Sequence, residues 1–401
     1  MLKRAKWSYL SAALSTTIFT ISSLMAFQAH AQTSRNLNFS EACSQGDNIE
    51  IIAVGDILLH APLQIQATTH SSRFESLWSG VLPYIKKADI AYANLEGPTA
   101  LGLTANGRQV GDVGHRFDKN VYSGYPLFNY HPLLITDLKK SGFDIVSTSN
   151  NHSLDRGSLG ADKTIEALKA NNLLYAGTRT REETQNPDHQ WYTITQSKGR
   201  NIAWVACTFS TNGVPDRHGQ VMPCFQKQGE LLGLVEKLSR NPQIHAVIVT
   251  PHWGDEYQLR HNNQQTQLGR QLIESGATAV LATHPHVVQP WEKVTTASGR
   301  EGLIVYSTGN FVSNQAEVPR KTSIMVQLHL TGAPQSKLKI RGVSYLPLFM
   351  ERTPLRTVRP VYNMSEVPAE AQQIWTNAFG AKNRISSATE NQIQKYCANS
   401  Q

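Results

Sequence analysis

Short apolar runs recur along the chain at intervals that suit buried strands. Residues 49–54, 90–94, 143–146, 202–207, 245–250, 277–281 and 303–306 are mostly apolar, and most run into polar or Gly-containing turns. Between them lie segments of helical character at residues 74–87, 133–141, 158–171, 228–240 and 264–275. In the third of these, Ile165 and Leu168 stand among polar residues as one face of an amphipathic helix would. Strands alternating with helices predict an α/β protein around a mainly parallel core, because parallel neighbours need a crossover that a helix supplies. Beyond Lys321 the pattern turns β-rich, at residues 322–330 and 337–347, with no helix between. A second sheet or an antiparallel flank is expected there. Residues 100–131 are rich in Gly, Tyr and Asn and too long for a plain connection, so they are expected to form a functional loop over a site. After about Pro360 a short helical pattern gives way to a polar tail.

Composition adds the compartment. The chain of 401 residues is 40% hydrophobic and 17% charged, enough for one large domain or two average ones. Met1-Leu2-Lys3-Arg4-Ala5-Lys6 is a basic start, residues 7–27 are apolar with interspersed Ser and Thr, and Ala29-His30-Ala31 has the A-x-A pattern of a cleavage site. A signal peptide over residues 1–31, removed to leave Gln32 as the first residue, is expected. The Ser/Thr content and the A-x-A site favour this over an uncleaved anchor. Export across an inner membrane into a periplasm follows. Losing Lys3, Arg4 and Lys6 lowers the formal net charge from +8 to +5. That mild excess, with no dense Lys/Arg block, gives no support to a nucleic-acid partner but suits an anionic polymer. Four cysteines remain, and in an exported chain they are expected to pair. Three pairings are possible. Cys207 with Cys224 would staple the loop between them, and Cys43 with Cys397 would then tie the two mature ends.

The candidate chemistry sits where the apolar runs stop. The successive ends read Gly55-Asp56, Asn94-Leu95-Glu96, Asn150-Asn151-His152 with Asp155, His252-Trp253-Gly254 with Glu256 and Tyr257, His284-Pro285-His286, and Ser307-Thr308-Gly309-Asn310. Ligands of open α/β folds bind beyond the carboxyl ends of the strands. Asp56, Glu96, Asn151, His252, His284 and His286 together offer the imidazole nitrogens and carboxylate and amide oxygens that divalent metals prefer. His152 supplies an imidazole able to move a proton near neutral pH, and Asp155 stands three residues on, able either to orient it or to cap the following helix. His60, Glu256, Tyr257 and Asn310, with Arg116 from the long loop, are candidates for contact with substrate. No Ser/His/Asp arrangement and no G-x-x-x-x-G-K-[ST] phosphate loop is present.

In this order, GD, NLE, NNHxxDxG, HWGxEY, HPHV and YSxGNF resemble the motifs of the CapA family, poly-γ-glutamate capsule biosynthesis proteins related to the calcineurin-like metallophosphoesterases. The resemblance covers residues 49–349, leaving an N-terminal extension at 32–48 and a C-terminal one at 350–401. It implies a four-layer α/β/β/α metallophosphoesterase-like sandwich. It also implies two divalent ions, Mn, Fe or Zn: Asp56 and His286 on one, Asn151, His252 and His284 on the other, and Glu96 bridging. His152 would be the metal-free imidazole near the leaving group. An anionic envelope polymer or a small phosphoester is the implied partner, together with association with membrane-bound polymer-synthesis machinery. The chain departs from the pattern at three positions: Leu58 stands where an Asp-x-His motif has its histidine, Glu96 where a bridging aspartate is usual, and Ala282 where relatives often have Gly.

Overall fold

The structure is a computed structural model and describes residues 35–400 apart from 187 and 388–390. The expected signal peptide lies outside the described residues. The strands in chain order are β1 (Ile49–Ile57), β2 (Ile90–Leu95), β3 (Ile145–Ser147), β4 (Leu174–Ala176), β5 (Thr193–Ser197), β6 (Arg200–Thr208), β7 (Ala246–His252), β8 (Ala279–Leu281), β9 (Val288–Thr295), β10 (Glu301–Thr308), β11 (Asn310–Val312), β12 (Thr322–Thr331), β13 (Lys339–Glu351) and β14 (Thr357–Pro360). They form two sheets. The first runs β14-β13-β12-β1-β2-β3-β4, with β11 beside β1, and the second runs β5-β6-β7-β8-β10-β9.

β1 to β4 are parallel, whereas β12, β13 and β14 add on as the antiparallel flank expected from the β-rich C-terminal pattern. In the second sheet β6, β7, β8 and β10 are parallel and β5 and β9 are antiparallel edges. Successive residues of a strand point to opposite faces, and β1 shows why its run has no polar gaps. Ile51 and Ala53 enter the core between the sheets, facing Trp204, Ile248 and Leu303, while Ile52 and Val54 enter the core on the outer side. That outer core is closed by Leu134 and Leu138 of the helix Leu133–Ser141 and Leu168 of the helix Gly157–Ala170. On the far side, Val205 and Val249 pack with Leu231 and Val235 of the helix Gln228–Arg240 and with Leu268 and Leu272 of the helix Asn263–Glu274. The order is helix, sheet, sheet, helix, the four-layer α/β/β/α sandwich. Tyr92 stacks on Trp204 across the inter-sheet core, centroids 5.3 Å apart, a contact worth about 0.5–1.5 kcal/mol beyond its buried area.

One expected helix is broken. Residues 74–87 form two 3₁₀ turns, Arg73–Leu77 and Ser79–Val81, before a short α-helix, Leu82–Lys87. Pro83 is the cause: without an N–H it cannot continue a helix but suits the first turn of a new one. Both cysteine pairs close as expected, Cys43–Cys397 and Cys207–Cys224. The first joins the start of the described chain to the helix Gln392–Ser400. The C-terminal segment packs with the body, since β14 extends the first sheet and Trp375 and Phe379 enter the inter-sheet core. Among the described residues no helix is long and apolar enough to cross a membrane.

Candidate metal centre

Parallel strands put their carboxyl ends on one edge of each sheet, and the polar motifs gather there. Gly55 is required at the end of β1, because a Cβ on it would lie 1.7 Å from the Gly309 carbonyl oxygen. This close approach pairs Asp56 with Asn310 on one side, while β2 brings Asn94 opposite Asp56 on the other. Gly97, with φ of 126°, turns the chain after Glu96 against the Tyr130 ring. Tyr130 then donates to the Glu96 carbonyl at 2.6 Å and accepts from the Leu59 N–H at 3.2 Å, linking the ends of β1 and β2. His284 and His286 both adopt positive φ, 102° and 58°. For non-glycine residues such backbone costs on the order of 1–3 kcal/mol each and is characteristic of functional sites.

Six side chains meet at this edge, all buried: Asp56, Glu96, Asn151, His252, His284 and His286. Around His252 Nε2 lie Asn151 Oδ1 at 3.0 Å, His284 Nδ1 at 3.2 Å and Glu96 Oε1 at 3.6 Å. Asp56 Oδ2 lies 3.2 Å from His286 Nδ1, and Glu96 Oε1 lies 3.8 Å from His286 Nε2. Asp56, Glu96 and His286 each present a donor atom within 4.8 Å of the other two. Neither carboxylate oxygen of Glu96 has a hydrogen-bond partner, although the residue is fully buried. An unpaired buried carboxylate is costly. Accordingly its pKa is pushed well above the usual carboxylate range, first by burial and then by the Asp56 and Glu256 charges. His252 and His284 are pushed well below the imidazole range, by burial first and then by neighbouring imidazoles. Neutral imidazoles around an unpartnered carboxylate are the donor set that a divalent ion requires, so these residues fit one.

Surrounding groups fix the donors. Asn94 Nδ2 donates to Asp56 Oδ1 at 2.8 Å, and Asn150 Nδ2 donates to the Leu95 carbonyl at 2.7 Å. His252 Nδ1 lies 2.9 Å from Thr283 Oγ1; a proton donated there leaves the Nε2 lone pair facing Glu96 and Asn151. Asn310 clamps His286, accepting from Nδ1 at 3.0 Å and donating to its carbonyl at 3.1 Å. His152 Nδ1 lies 2.8 Å from Asp155 Oδ2, and the same oxygen accepts from the Phe128 N–H at 2.7 Å. Asp155 therefore orients the imidazole and anchors the long loop instead of capping the helix, whose N-cap is Arg156.

The remaining candidates are scattered. Glu256 and Tyr257 are exposed at the rim, with the Tyr257 ring 6.0 Å from that of His286 and the Arg320 guanidinium stacked over it at 3.6 Å. His60 is partly buried beside the cluster. Its Nδ1 faces the Leu58 carbonyl at 3.2 Å and the Asn314 N–H at 3.4 Å, and burial pushes its pKa down to about 4. Arg116 is exposed, and no side-chain contact among the described residues ties it to the cluster. Asn94 and Asn150 stood in the strand-end motifs with no role assigned, and Thr283 and Phe128 were not singled out from sequence. Asn94 could have been given a role, since it stands two positions before Glu96 on the same strand face.

The family model described as bacterial capsule synthesis protein PGA_cap matches residues 50–315. The chain is 26% identical over 289 residues to the capsule biosynthesis protein CapA of Bacillus anthracis, which covers 71% of this chain and 65% of that protein. It is 24% identical over 324 residues to the PGA biosynthesis protein CapA of Bacillus subtilis strain 168, covering 78% and 74%. The chain thus spans just under two thirds of the first relative's length. Among solved structures it is similar to the Haemophilus influenzae NAD nucleotidase, at 9% identity and TM-score 0.45, over 88% of this chain and 60% of that one. It is also similar to a Thermus thermophilus sulfate thiohydrolase, at 15% identity and TM-score 0.38, over 82% and 59%. The fold assignment rests on the two sheets and their helices, not on similarities of this size.

Proposed function

The chain belongs to the bacterial capsule synthesis protein family PGA_cap, and from that premise we propose that it is an exported, divalent-metal-dependent hydrolase of the phosphoesterase type. Its substrate in this reading is a phosphoester, small or within the metabolism of an anionic envelope polymer such as poly-γ-glutamate. The observation that carries the reading is the buried Glu96 carboxylate, unpartnered at both oxygens and ringed by Asp56, Asn151, His252, His284 and His286. Glu96 would be shared between two ions, with Asp56 and His286 on one and Asn151, His252 and His284 on the other. Divalent ions held by these residues would supply charge neutralisation at the phosphoryl group and a lowered pKa for a bound water.

The chain's own groups do the rest. Asn94 orients Asp56, Thr283 sets the His252 tautomer and Asn310 fixes the His286 ring. Water oxygen bonds to phosphorus and gives up one proton to solvent, the ester P–O bond breaks, the departing alkoxide takes the proton held at His152 Nε2, and solvent then returns a proton to that imidazole. The Nδ1–H of that imidazolium is given to Asp155, whose buried carboxylate offsets its charge. The two disulfides support an oxidising compartment, the periplasm in this reading. The test is turnover of p-nitrophenyl phosphate, alkyl phosphates and poly-γ-glutamate by metal-loaded protein and by a His152→Asn variant. The variant is expected to lose about 10²–10⁴ in kcat on alkyl phosphates while still binding metal.

A second reading is a non-catalytic component that assists synthesis or export of the polymer beside membrane-bound machinery. It is favoured by Leu58, which removes one expected ligand, and by His60, whose Nδ1 faces backbone groups instead of the cluster. Metal-replete protein that turns over none of these substrates would leave this second reading standing.

A further inference from the structure

At His60 lies a groove of about 550 Å³, within the size range of small-ligand pockets. Its walls are His60 and Pro62 at the start of the helix Ala61–Thr69, and Phe117, Lys119, Tyr125 and Leu127 from the long loop. No carboxylate lines it, and Lys119 is its single charged group. His60, on its wall, is linked to His152 through the buried Phe128 ring, which stands edge-on to His60 at 5.6 Å and to His152 at 4.8 Å.

The groove is held open by polar contacts behind it, not by its own apolar packing. Ser123 and Asn129 pair across the loop, and the buried Asn129 amide binds Ala100 at both its N–H and its carbonyl, 2.7 and 2.8 Å. Arg156 donates to the Leu127 carbonyl at 3.2 Å and to Ser123 Oγ at 2.6 Å, and Asp155 holds the Phe128 N–H. On this braced loop Tyr125 is 76% exposed and Leu127 38%. With Pro62, Phe117 and Pro126 they make one contiguous apolar wall, the kind of exposed surface that meets a ligand.

We propose that this groove takes the alcohol side of the scissile ester and that the alcohol is apolar, an alkyl or aryl group, with the phosphoryl group at the Glu96 cluster. The inference rests on the phosphoesterase reading and names its substrate class. An acidic polymer segment does not suit these walls, since one lysine cannot match a run of carboxylates. The ester oxygen then lies between the cluster and the groove, on the side where His152 delivers its proton.

Calorimetric binding of non-hydrolysable phosphonates to Mn-loaded protein tests this. Each buried methylene is worth about fourfold in affinity, so butylphosphonate is expected to bind about 60-fold more tightly than methylphosphonate. The heat-capacity change should be more negative for the longer ligand. 3-Phosphonopropanoate, which places a carboxylate in the groove, should gain nothing. A Tyr125→Ser/Leu127→Ser variant, altered only at exposed positions, should keep less than about tenfold of the gain. Equal affinity for the methyl and butyl ligands would overturn the groove assignment and leave the phosphoesterase reading intact. Failure of every phosphonate to bind metal-loaded protein would overturn both. A butyl preference untouched by the double variant would also overturn the groove assignment.

Discussion

Replacing Asp155 by asparagine tests whether one buried carboxylate serves both the loop and the imidazole. In the native chain Asp155 is 5% exposed, and its Oδ2 accepts from His152 Nδ1 at 2.8 Å and from the Phe128 N–H at 2.7 Å. Asparagine has the same shape, so no cavity opens, but it has one acceptor oxygen and no charge. Both contacts fall on the one oxygen Oδ2, so the amide oxygen can take its place and keep both, each weakened by the loss of the charge. A hydrogen bond to a charged group contributes about 1.5–3 kcal/mol and a neutral one about 0.5–1.5, so over the two contacts the unfolding free energy should fall by about 1–3 kcal/mol. Urea titration with the disulfides intact reads this as a lower midpoint at unchanged slope. Asp155→Ala should cost more, because the Phe128 N–H is then buried without a partner, a penalty of about 1–3 kcal/mol. In turnover, a misoriented His152 should lower kcat about 10²-fold on alkyl phosphates and much less on p-nitrophenyl phosphate, whose leaving group needs little protonation. Asp155→Asn with wild-type stability and wild-type alkyl-phosphate turnover would refute the dual role. Lost stability with no dependence on the leaving group would reduce Asp155 to a loop anchor.

Glu96→Gln should leave the metal-free protein as stable as wild type or more so, since a buried unpartnered carboxylate becomes a neutral amide. The same variant should lose the stabilisation by added Mn²⁺, which at 100-fold excess over Kd is about 2.7 kcal/mol in wild type, read by thermal unfolding. Burial, and secondarily Arg341, push the His329 imidazole down to about 4 from 6.5. Between those pH values the unfolded chain holds more protons, so this contribution is full above about 6.5 and is lost as pH falls toward 4, a span of about 3 kcal/mol. Urea midpoints taken at about pH 7 and pH 4.5 should therefore drop further in wild type than in His329→Gln. Removing the Cys43–Cys397 bridge with a double serine variant should lower stability by about 2–5 kcal/mol, because it closes a loop of 354 residues in sequence separation; unchanged thermal unfolding would show that the C-terminal helix is held by packing alone.

Much of the architecture was legible because the parallel strands are buried on both faces. β1, β2, β6 and β7 read as apolar runs, and their polar ends necessarily share an edge. The helix Ala61–Thr69 was not legible. It buries Gln64 and Gln66 along with Leu63 and Ala67, and those amides bond backbone carbonyls of Leu59, Ser123 and Arg356, which blurs any apolar stripe. The break at residues 78–82 was signalled by Pro83, but the apolar spacing on both sides masked it. At the site, residues that stand at strand ends were visible, whereas those that orient them depended on register. Asn94 reaches Asp56 only because β1 and β2 pair those two positions. Phe128 reaches Asp155 across 27 residues through the folding of the long loop, which no local pattern encodes.

The central claim is that the cluster around Glu96 holds divalent metal. Elemental analysis of the purified protein beside a His284→Ala/His286→Ala variant tests it most directly. About two equivalents of Mn, Fe or Zn are expected in the wild type, with loss of most of that metal in the variant. No bound metal in either protein, even after incubation with all three ions, would contradict it.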